Sequence, residues 1–327
     1  MKTVRSNKYR RKRRRSDRTK LMMVLAVLGG AVIIAAAVVV TLILLFSKQT
    51  TPSKDQNNTP VVSETSSDTS SLSEIVSPSD EIAKINPNAA TAKTSGKYAY
   101  QSLYPEMYVP IVEKIPAAAN AKVVYLTFDD GPSQLTEELL DVLKKNNIKA
   151  TFFVSCQEDP AEVKRLLKLT HEDGHIIGIH TYSHDYTEIY SSVEAFLKDF
   201  SKMNDLIYEA TGEKPTIFRF AGGSINSYNQ KTYKAIIKEM ERRGYTYFDW
   251  NVDSGDSESN ATGKSIYNTT VDGITQYNKS IVLMHNSGAK KDTVEQVANI
   301  VKKVKKAGYH FEVLDPSVKP FSFAYPE

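Results

Sequence analysis

The most unusual polar residues of this 327-residue chain stand at the ends of short apolar runs. The run "VVYLTF" is followed directly by Asp129 and Asp130 and then by a Gly-Pro turn. Neighbouring side chains of a strand alternate between its two faces, but the turn breaks that alternation, so we expect both carboxylates to reach one cavity. One aspartate can then bind a cation and the other can act as a base, although either residue alone is also a common cap of a turn.

Two histidines form a second candidate element of the same site. His180 closes the run "HIIGIH", and His184 follows four residues later. On a helical turn this spacing places both imidazoles on one face, within reach of a single metal ion. Histidines at this spacing are often solvated or structural, but the aspartate pair at another strand end favours a metal site. Two imidazoles and one carboxylate favour zinc, and cobalt, manganese and nickel remain possible.

Four further residues occupy similar positions late in apolar runs. His285 closes "SIVLMH", Arg219 lies in "TIFRFA", and Asp249 and Trp250 end "YTYFDW". We predict that His285 is a general acid, with a core histidine as the alternative. Arg219 can pair with the free aspartate and keep it ionised, or it forms a purely structural ion pair. Trp250 is the only tryptophan and is either a pocket wall or a packing residue.

The elements that must position these residues alternate regularly from residue 97 onward. Seven short runs rich in β-branched and aromatic residues are separated by amphipathic segments; the runs are "VVYLTF", "ATFFVS", "HIIGIH", "TIFRFA", "YTYFDW", "SIVLMH" and "HFEVL". The predicted helices are Leu135 to Lys145, a helix capped by Asp159, residues 191–212 closed by Gly212, residues 232–243, and residues 293–308. This alternation predicts a parallel sheet or barrel, whose active site forms where the strands end.

The basic charge of the chain is concentrated at its N-terminus. Residues 1–20 contain eleven Lys or Arg and one Asp, whereas the whole chain has a net charge of only +4. The basic pI is therefore a property of this tail, and we infer that the main domain does not bind nucleic acid. The chain contains a single cysteine, which excludes an intramolecular disulfide.

Residues 21–46 carry no charge and are long enough to cross a bilayer as one helix. With the basic tail held in the cytoplasm, this anchor predicts a single-pass membrane protein whose C-terminal part is extracellular. A long signal peptide or a buried core helix are the alternatives. Residues 47–96 have the composition of a disordered Ser/Thr-rich linker, with a reach of roughly 35–42 Å, and residues 97–327 form the predicted catalytic domain.

These motifs resemble those of the polysaccharide deacetylases of carbohydrate esterase family 4, which share the NodB homology domain. "TFDDGP" resembles the first family motif and "HTYSH" the second, and the two together are specific. "RFAGG", the pair Asp249-Trp250 and "LMH" are similar to the remaining three. The resemblance implies a distorted (β/α)7 barrel, in agreement with the seven runs.

The resemblance also implies a role for each residue of the site. Asp130, His180 and His184 would bind the metal, Asp129 would be the catalytic base and His285 the acid. Arg219 would orient Asp129, and Asp249 would support His285. Trp250 and Leu283 would line an acetyl pocket, and the Gly222 N–H would stabilise an oxyanion. Ala221 stands where the family usually has proline, which affects the geometry of the loop that contains Gly222.

The implied reaction is the metal-dependent hydrolysis of N-acetyl groups of a cell-envelope glycan. A membrane-tethered domain meets the cell wall, so N-acetylglucosamine of peptidoglycan is the first expectation. The alternatives are N-acetylmuramic acid, a secreted N-acetylglucosamine polymer and an O-acetylated glycan. A catalytically inactive glycan-binding module is the non-enzymatic alternative, favoured only by Ala221.

Overall fold

The computed structural model of this protein describes residues 97–115 and 121–323. Eight parallel strands form one sheet. The strands are β1 (Val123–Asp129), β2 (Thr151–Val154), β3 (Ile176–Ile179), β4 (Ile217–Phe218), β5 (Thr246–Tyr247), β6 (Val252–Asp253), β7 (Lys279–His285) and β8 (His310–Glu312). The helices are α1 (Thr136–Lys145), α2 (Pro160–Glu172), α3 (Tyr186–Ile189), α4 (Val193–Thr211), α5 (Tyr233–Arg242), α6 (Gly263–Thr275) and α7 (Lys291–Lys306).

The sheet has the strand order β5-β4-β3-β2-β1-β7-β6, and β8 pairs with β1. Within the described residues no strand pairing joins β5 to β6, so the sheet is an open half-barrel. The predicted α/β fold with a parallel sheet is confirmed, but the predicted distorted barrel of seven strands is an open half-barrel of eight strands. The additional strand, β6, is only two residues long and lies in the polar stretch "NVDSGD", which has no apolar run that could have revealed it.

Two extended segments lie beside β5, where the half-barrel is open. Ile115 forms a parallel bridge with Val318. The Lys114 ammonium donates to the Thr246 hydroxyl of β5 and to the carbonyl of Pro316. The residues before and after the strands therefore contribute to the wall of the half-barrel.

All five predicted helices are confirmed. The Asp159 carboxylate caps α2 by accepting a hydrogen bond from the Ala161 N–H, and Gly212 closes α4 in the left-handed conformation. Helix α7 is confirmed with Val294, Val297, Val301 and Val304 buried along one face. Helix α6 was not predicted, because "GKSIYNTTVDGIT" is rich in glycine and β-branched residues, which have low intrinsic helix propensity.

Strand alternation divides the buried apolar residues into two clusters. One of them lies on the inner face of the half-barrel and consists of Val123, Tyr125, Phe153, Ile217, Phe248, Ile281 and Leu314. The larger cluster joins the outer face of the sheet to the helices. Gly178 lies on the inner face, where a Cβ would stand 2.8 Å from the Phe153 ring and 3.0 Å from Ile217.

The predicted basic tail, membrane anchor and linker lie outside the described residues. Among the residues that are described, no helix is both long and apolar enough to cross a bilayer. The boundaries at residues 20, 46 and 96 stay predictions.

Candidate active site

Asp129 and His285 lie side by side at the carboxyl ends of β1 and β7. The strand register pairs Asp129 with His285 and Thr127 with Leu283. Paired positions of neighbouring strands present their side chains on the same face, here the inner face of the half-barrel. The strand ends therefore meet at one rim, as the sequence predicts.

Asp130 leaves the strand alternation because its backbone is left-handed, with φ of 70°. This conformation is uncommon for a residue other than glycine. The break thus comes at Asp130, one residue before the Gly-Pro turn at which the sequence predicts it. Gly131 packs directly against the end of β7, where a Cβ would lie 2.7 Å from Asn286 Nδ2.

The Asp130 carboxylate faces the two predicted histidines. Its Oδ1 lies 3.0 Å from His184 Nε2 and 3.5 Å from His180 Nε2. One ligand-type atom from each of the three residues can be chosen so that all lie within 4.8 Å of one another. The predicted helical turn is wrong, since His184 has φ of 58° and α3 begins only at Tyr186. The two imidazoles converge through a loop instead.

A residue that the sequence analysis missed holds this loop in place. The carboxylate of Asp199, on α4, accepts hydrogen bonds from the backbone N–H groups of Tyr182 (2.6 Å) and Ser183 (2.9 Å). Asp199 is 8% exposed. The signal in the sequence was an acidic residue among the apolar positions of "AFLKDF", where a solvated side chain is not expected.

The three side chains fit a divalent cation. His180 Nδ1 lies 2.9 Å from the carbonyl oxygen of Arg219, which places the proton on Nδ1 and leaves Nε2 free as a ligand. Asp130 Oδ1 is buried and accepts no hydrogen bond of good geometry, although both imidazoles are close. A buried carboxylate oxygen facing two imidazole nitrogens has the donor set of a catalytic zinc site.

The electrostatics of Asp130 and His180 agree with this donor set. Burial raises the pKa of Asp130, but the close contact with the His184 imidazole and the charges of both histidines outweigh burial, and the pKa lies well below its usual range. Burial lowers the pKa of His180, which favours the neutral imidazole that a metal needs. The close contact with the Asp130 carboxylate raises the pKa of His184.

Asp129 is held by Arg219, the contact expected from the sequence. Arg219 Nη1 lies 2.8 Å from Asp129 Oδ1, and neither side chain is more than 4% exposed. The same guanidinium donates to the Thr127 hydroxyl and to the carbonyl of Phe248. Arg219 therefore has its partners inside the half-barrel and fixes the orientation of the Asp129 carboxylate.

The partner of His285 is Asp256, and the prediction that Asp249 supports His285 is wrong. His285 Nδ1 lies 2.6 Å from Asp256 Oδ1, and the His285 backbone N–H donates to Asp256 Oδ2 at 2.8 Å. Thr293 also donates to Asp256, and Lys290 donates to its backbone carbonyl. The carboxylate comes from the loop after β6, the strand that has no apolar run in the sequence.

This contact changes the proton affinity of both partners. Burial lowers the pKa of His285, but the hydrogen bond and the negative charge of Asp256 outweigh it, so that the pKa is raised. Burial raises the pKa of Asp256, but the hydrogen bond with His285 outweighs it, so that the pKa is lowered. The pair therefore favours a protonated imidazole beside an ionised carboxylate.

Asp249 instead holds backbone segments together. Its buried carboxylate accepts hydrogen bonds from the Ser224 N–H and hydroxyl and from the Phe323 N–H. Burial raises the pKa of Asp249, against the effect of these hydrogen bonds. Asp249 misses His285 because it follows the short strand β5, on the other side of the opening from β6 and the Asp256 loop.

The remaining predicted residues lie around the same rim. Trp250 is partly buried, with its ring centroid 5.7 Å from Arg219 Cζ, and Leu283 lies two residues before His285 on β7. Gly222 has φ of 74°, and a Cβ there would lie 3.4 Å from the Tyr186 ring. The carbonyl of Ala221 accepts a hydrogen bond from the Tyr190 hydroxyl at 2.7 Å.

The half-barrel and its side chains define an α/β enzyme whose active site lies at the carboxyl ends of parallel strands. A family model described as "Polysaccharide deacetylase" matches residues 117–247. A peptidoglycan-N-acetylglucosamine deacetylase of Bacillus cereus is 30% identical over 235 residues, which cover 69% of this chain and 82% of the relative. The chain belongs to the polysaccharide deacetylase family, which confirms the resemblance seen in its motifs.

Two further relatives show the range of this likeness. The catalytic domain of the peptidoglycan N-acetylglucosamine deacetylase from Eubacterium rectale has a solved structure that superimposes with a TM-score of 0.62 at 33% identity, over 66% of this chain and 98% of that domain. The peptidoglycan-N-acetylmuramic acid deacetylase of Bacillus subtilis is 30% identical over 202 residues, which cover 59% of this chain and 70% of the relative. Relatives of similar identity thus have names that refer to different sugars.

Proposed function

We propose that this protein removes N-acetyl groups from the N-acetylglucosamine residues of peptidoglycan and needs a divalent cation to do so. The observation that carries the proposal is the convergence of Asp130, His180 and His184 beside two differently paired groups, Asp129 and His285. Relatives named as peptidoglycan N-acetylglucosamine deacetylases support the choice of sugar.

Asp130, His180 and His184 would hold the cation, and zinc is the metal favoured by this donor set. When bound, such a cation supplies a Lewis acid that polarises the amide carbonyl and makes a water molecule easier to deprotonate. His180 offers its free Nε2 because its Nδ1 faces the carbonyl of Arg219.

Asp129 acts as the base in the proposed reaction. Its carboxylate takes a proton from the attacking water as the oxygen bonds to the acetyl carbon. Arg219 keeps this carboxylate in place. The N–H of Gly222 has no hydrogen-bond partner among the described residues, and it is the proposed donor to the oxyanion that forms.

His285 acts as the acid. Asp256 holds its ring through Nδ1, which leaves Nε2 to donate a proton to the leaving nitrogen as the carbon–nitrogen bond breaks. The products are acetate and the free amine of the sugar. Trp250 and Leu283 are proposed to line the space for the acetyl methyl group.

The location of the enzyme is also part of the proposal. The uncharged stretch of residues 21–46, preceded by the basic tail, supports a membrane anchor with the catalytic part outside the cell. Protease added to intact cells should then cleave the catalytic part from its anchor. Protection of the whole chain in intact cells, with cleavage only after lysis, would reject this orientation.

The central test is acetate release by the purified full-length chain after removal of metal with a chelator. We expect no release from the stripped protein and recovery after addition of zinc or cobalt, with peptidoglycan and N-acetylglucosamine oligomers as substrates. Metal-dependent release from a secreted N-acetylglucosamine polymer but never from peptidoglycan would reject the proposed substrate. Full activity of the metal-free protein would reject the proposed cation.

A further inference from the structure

The C-terminal segment, residues 316–323, lies against the rim of the active site. The Asp249 N–H donates to the carbonyl of Phe321 at 2.9 Å, and the Phe323 N–H donates to Asp249 Oδ2 at 2.8 Å. Two hydrogen bonds to one residue fix the last part of this segment. Phe323 therefore has a defined position beside the end of β5.

The same carboxylate binds the loop of residues 221–224. Asp249 Oδ1 accepts a hydrogen bond from the Ser224 N–H at 2.8 Å, and Oδ2 accepts from the Ser224 hydroxyl. Asp249 is 0% exposed, so water does not compete for these hydrogen bonds. One buried carboxylate thus joins the C-terminal segment to the loop that contains Gly222.

The ring of Phe323 packs on Trp250 and on the same loop. Its centroid lies 4.9 Å from that of Trp250, with the ring planes at 79°. Gly223 has φ of 83°, and a Cβ there would lie 2.5 Å from Phe323 Cε2 and 3.2 Å from Trp250 Cη2. Only a glycine allows the loop to lie this close to the two rings.

This aromatic pair lies next to the residues of the proposed acid–base chemistry. Trp250 neighbours the Arg219 guanidinium, which in turn binds Asp129. On the other side of the loop, the Tyr186 ring centroid lies 5.2 Å from that of His184. The loop of residues 221–224 therefore lies between the Trp250–Phe323 pair and the aromatic ring beside the metal-binding histidines.

We propose that the C-terminal segment contributes to substrate binding and to loop positioning in the active site. Asp249 is a positioning residue that fixes the loop of residues 221–224, and with it the Gly222 N–H. Phe323 and Trp250 together form an aromatic wall that binds the apolar face of a sugar ring of the glycan chain. This inference rests on the proposed glycan deacetylase function, and it assigns part of the glycan site to the C-terminal end of the described chain.

The aromatic wall is tested with the full-length chain and the variant Phe323→Ala. We expect the KM for N-acetylglucosamine oligomers to rise about tenfold, with a smaller effect on kcat. Tyr277→Ala is the control, since Tyr277 is an aromatic residue that is 44% exposed and lies just before β7, at the end of the sheet opposite the rim. An unchanged KM in Phe323→Ala would overturn the wall.

The positioning role is tested with Asp249→Asn and Ser224→Ala. Because a displaced loop would misplace an oxyanion donor, kcat should fall by up to about 100-fold for the oligomers and for a small aryl acetate alike, with KM nearly unchanged. Ser224→Ala removes only one hydrogen bond and should give a smaller loss in the same direction. If Asp249→Asn fails to fold, Ser224→Ala decides the question, and normal kcat in that variant would overturn the role.

A binding measurement separates this inference from the proposed function. Trp250 is the only tryptophan of the chain, so its fluorescence reports directly on the wall. Titration with N-acetylglucosamine oligomers should change the emission, and Phe323→Ala should need about ten times more oligomer. A wild-type chain that binds but releases no acetate would reject the proposed activity and leave the wall supported. Absence of any emission change in the wild type would reject the wall.

Discussion

The ring of His285 is held by Asp256, which lies 2.6 Å away on the loop after β6 and is completely buried at its carboxylate. The contact joins the end of β7 to a loop from the edge of the sheet. It gives the proposed acid a fixed orientation and a raised pKa. Asp256 is therefore expected to matter for catalysis almost as much as His285 does.

Asp256→Asn should lower kcat by about 100-fold or more, since the acid loses its orientation and its charged partner. His285 also faces Asp129 and Asp130, and Lys290 lies beside Asp256. The raised pKa keeps His285 protonated to higher pH, so the loss of the Asp256 charge should move the alkaline limb of the kcat–pH profile to lower pH. A limb that stays in place would contradict the assignment of His285 as the acid.

Asp129→Asn and Asp130→Asn should separate catalysis from metal binding. The first variant should lose turnover and keep its metal, whereas the second should lose both, because Asp130 faces the two imidazoles and Asp129 faces Arg219. Metal content after dialysis, measured alongside acetate release, distinguishes the two. Loss of metal from Asp129→Asn alone would reverse the roles of the aspartates.

Arg219→Met should lower the free energy of unfolding by about 3–5 kcal/mol, because Asp129 is left buried without its partner. The double variant with Asp129→Asn should recover part of this loss. Recovery should be incomplete, since Arg219 also binds Thr127 and the carbonyl of Phe248. Denaturant unfolding of the two single variants and the double variant gives the coupling free energy between Arg219 and Asp129. If the losses in the free energy of unfolding are strictly additive, the ion pair is not the cause of the destabilisation.

Asp199→Asn should weaken metal binding by about 10- to 100-fold. This is the effect expected for a residue that positions a metal ligand without contacting the metal itself. The reason is the loss of charge at the carboxylate that holds the N–H groups of Tyr182 and Ser183, next to His184. Competition with a chromophoric chelator measures the affinity. Asp205→Asn on the same helix α4 is the matched control, and equal effects of both variants would exclude a specific role for Asp199.

The sequence alone determined the class of fold and most of the site. Regular alternation of strand and helix patterns requires a parallel sheet. The polar residues at the carboxyl ends of parallel strands then meet at one rim, whatever the order of the strands in the sheet. Asp129, Asp130, His180, His184, Arg219 and His285 were all identified in this way. Their residue types and their places at the ends of apolar runs carry enough information, since strand periodicity fixes which ends converge.

The tertiary structure decided the contacts that depend on short or irregular elements. Asp249 lies at the end of the apolar run "YTYFDW" and Asp256 follows that run, and no periodic pattern tells which of them reaches His285. That choice depends on β6, a two-residue strand held by its pairing with β7 rather than by its own sequence. The opening between β5 and β6 and the place of Phe323 beside Trp250 were likewise undecided by the sequence. They depend on contacts between residues far apart in the chain, which local propensity does not encode.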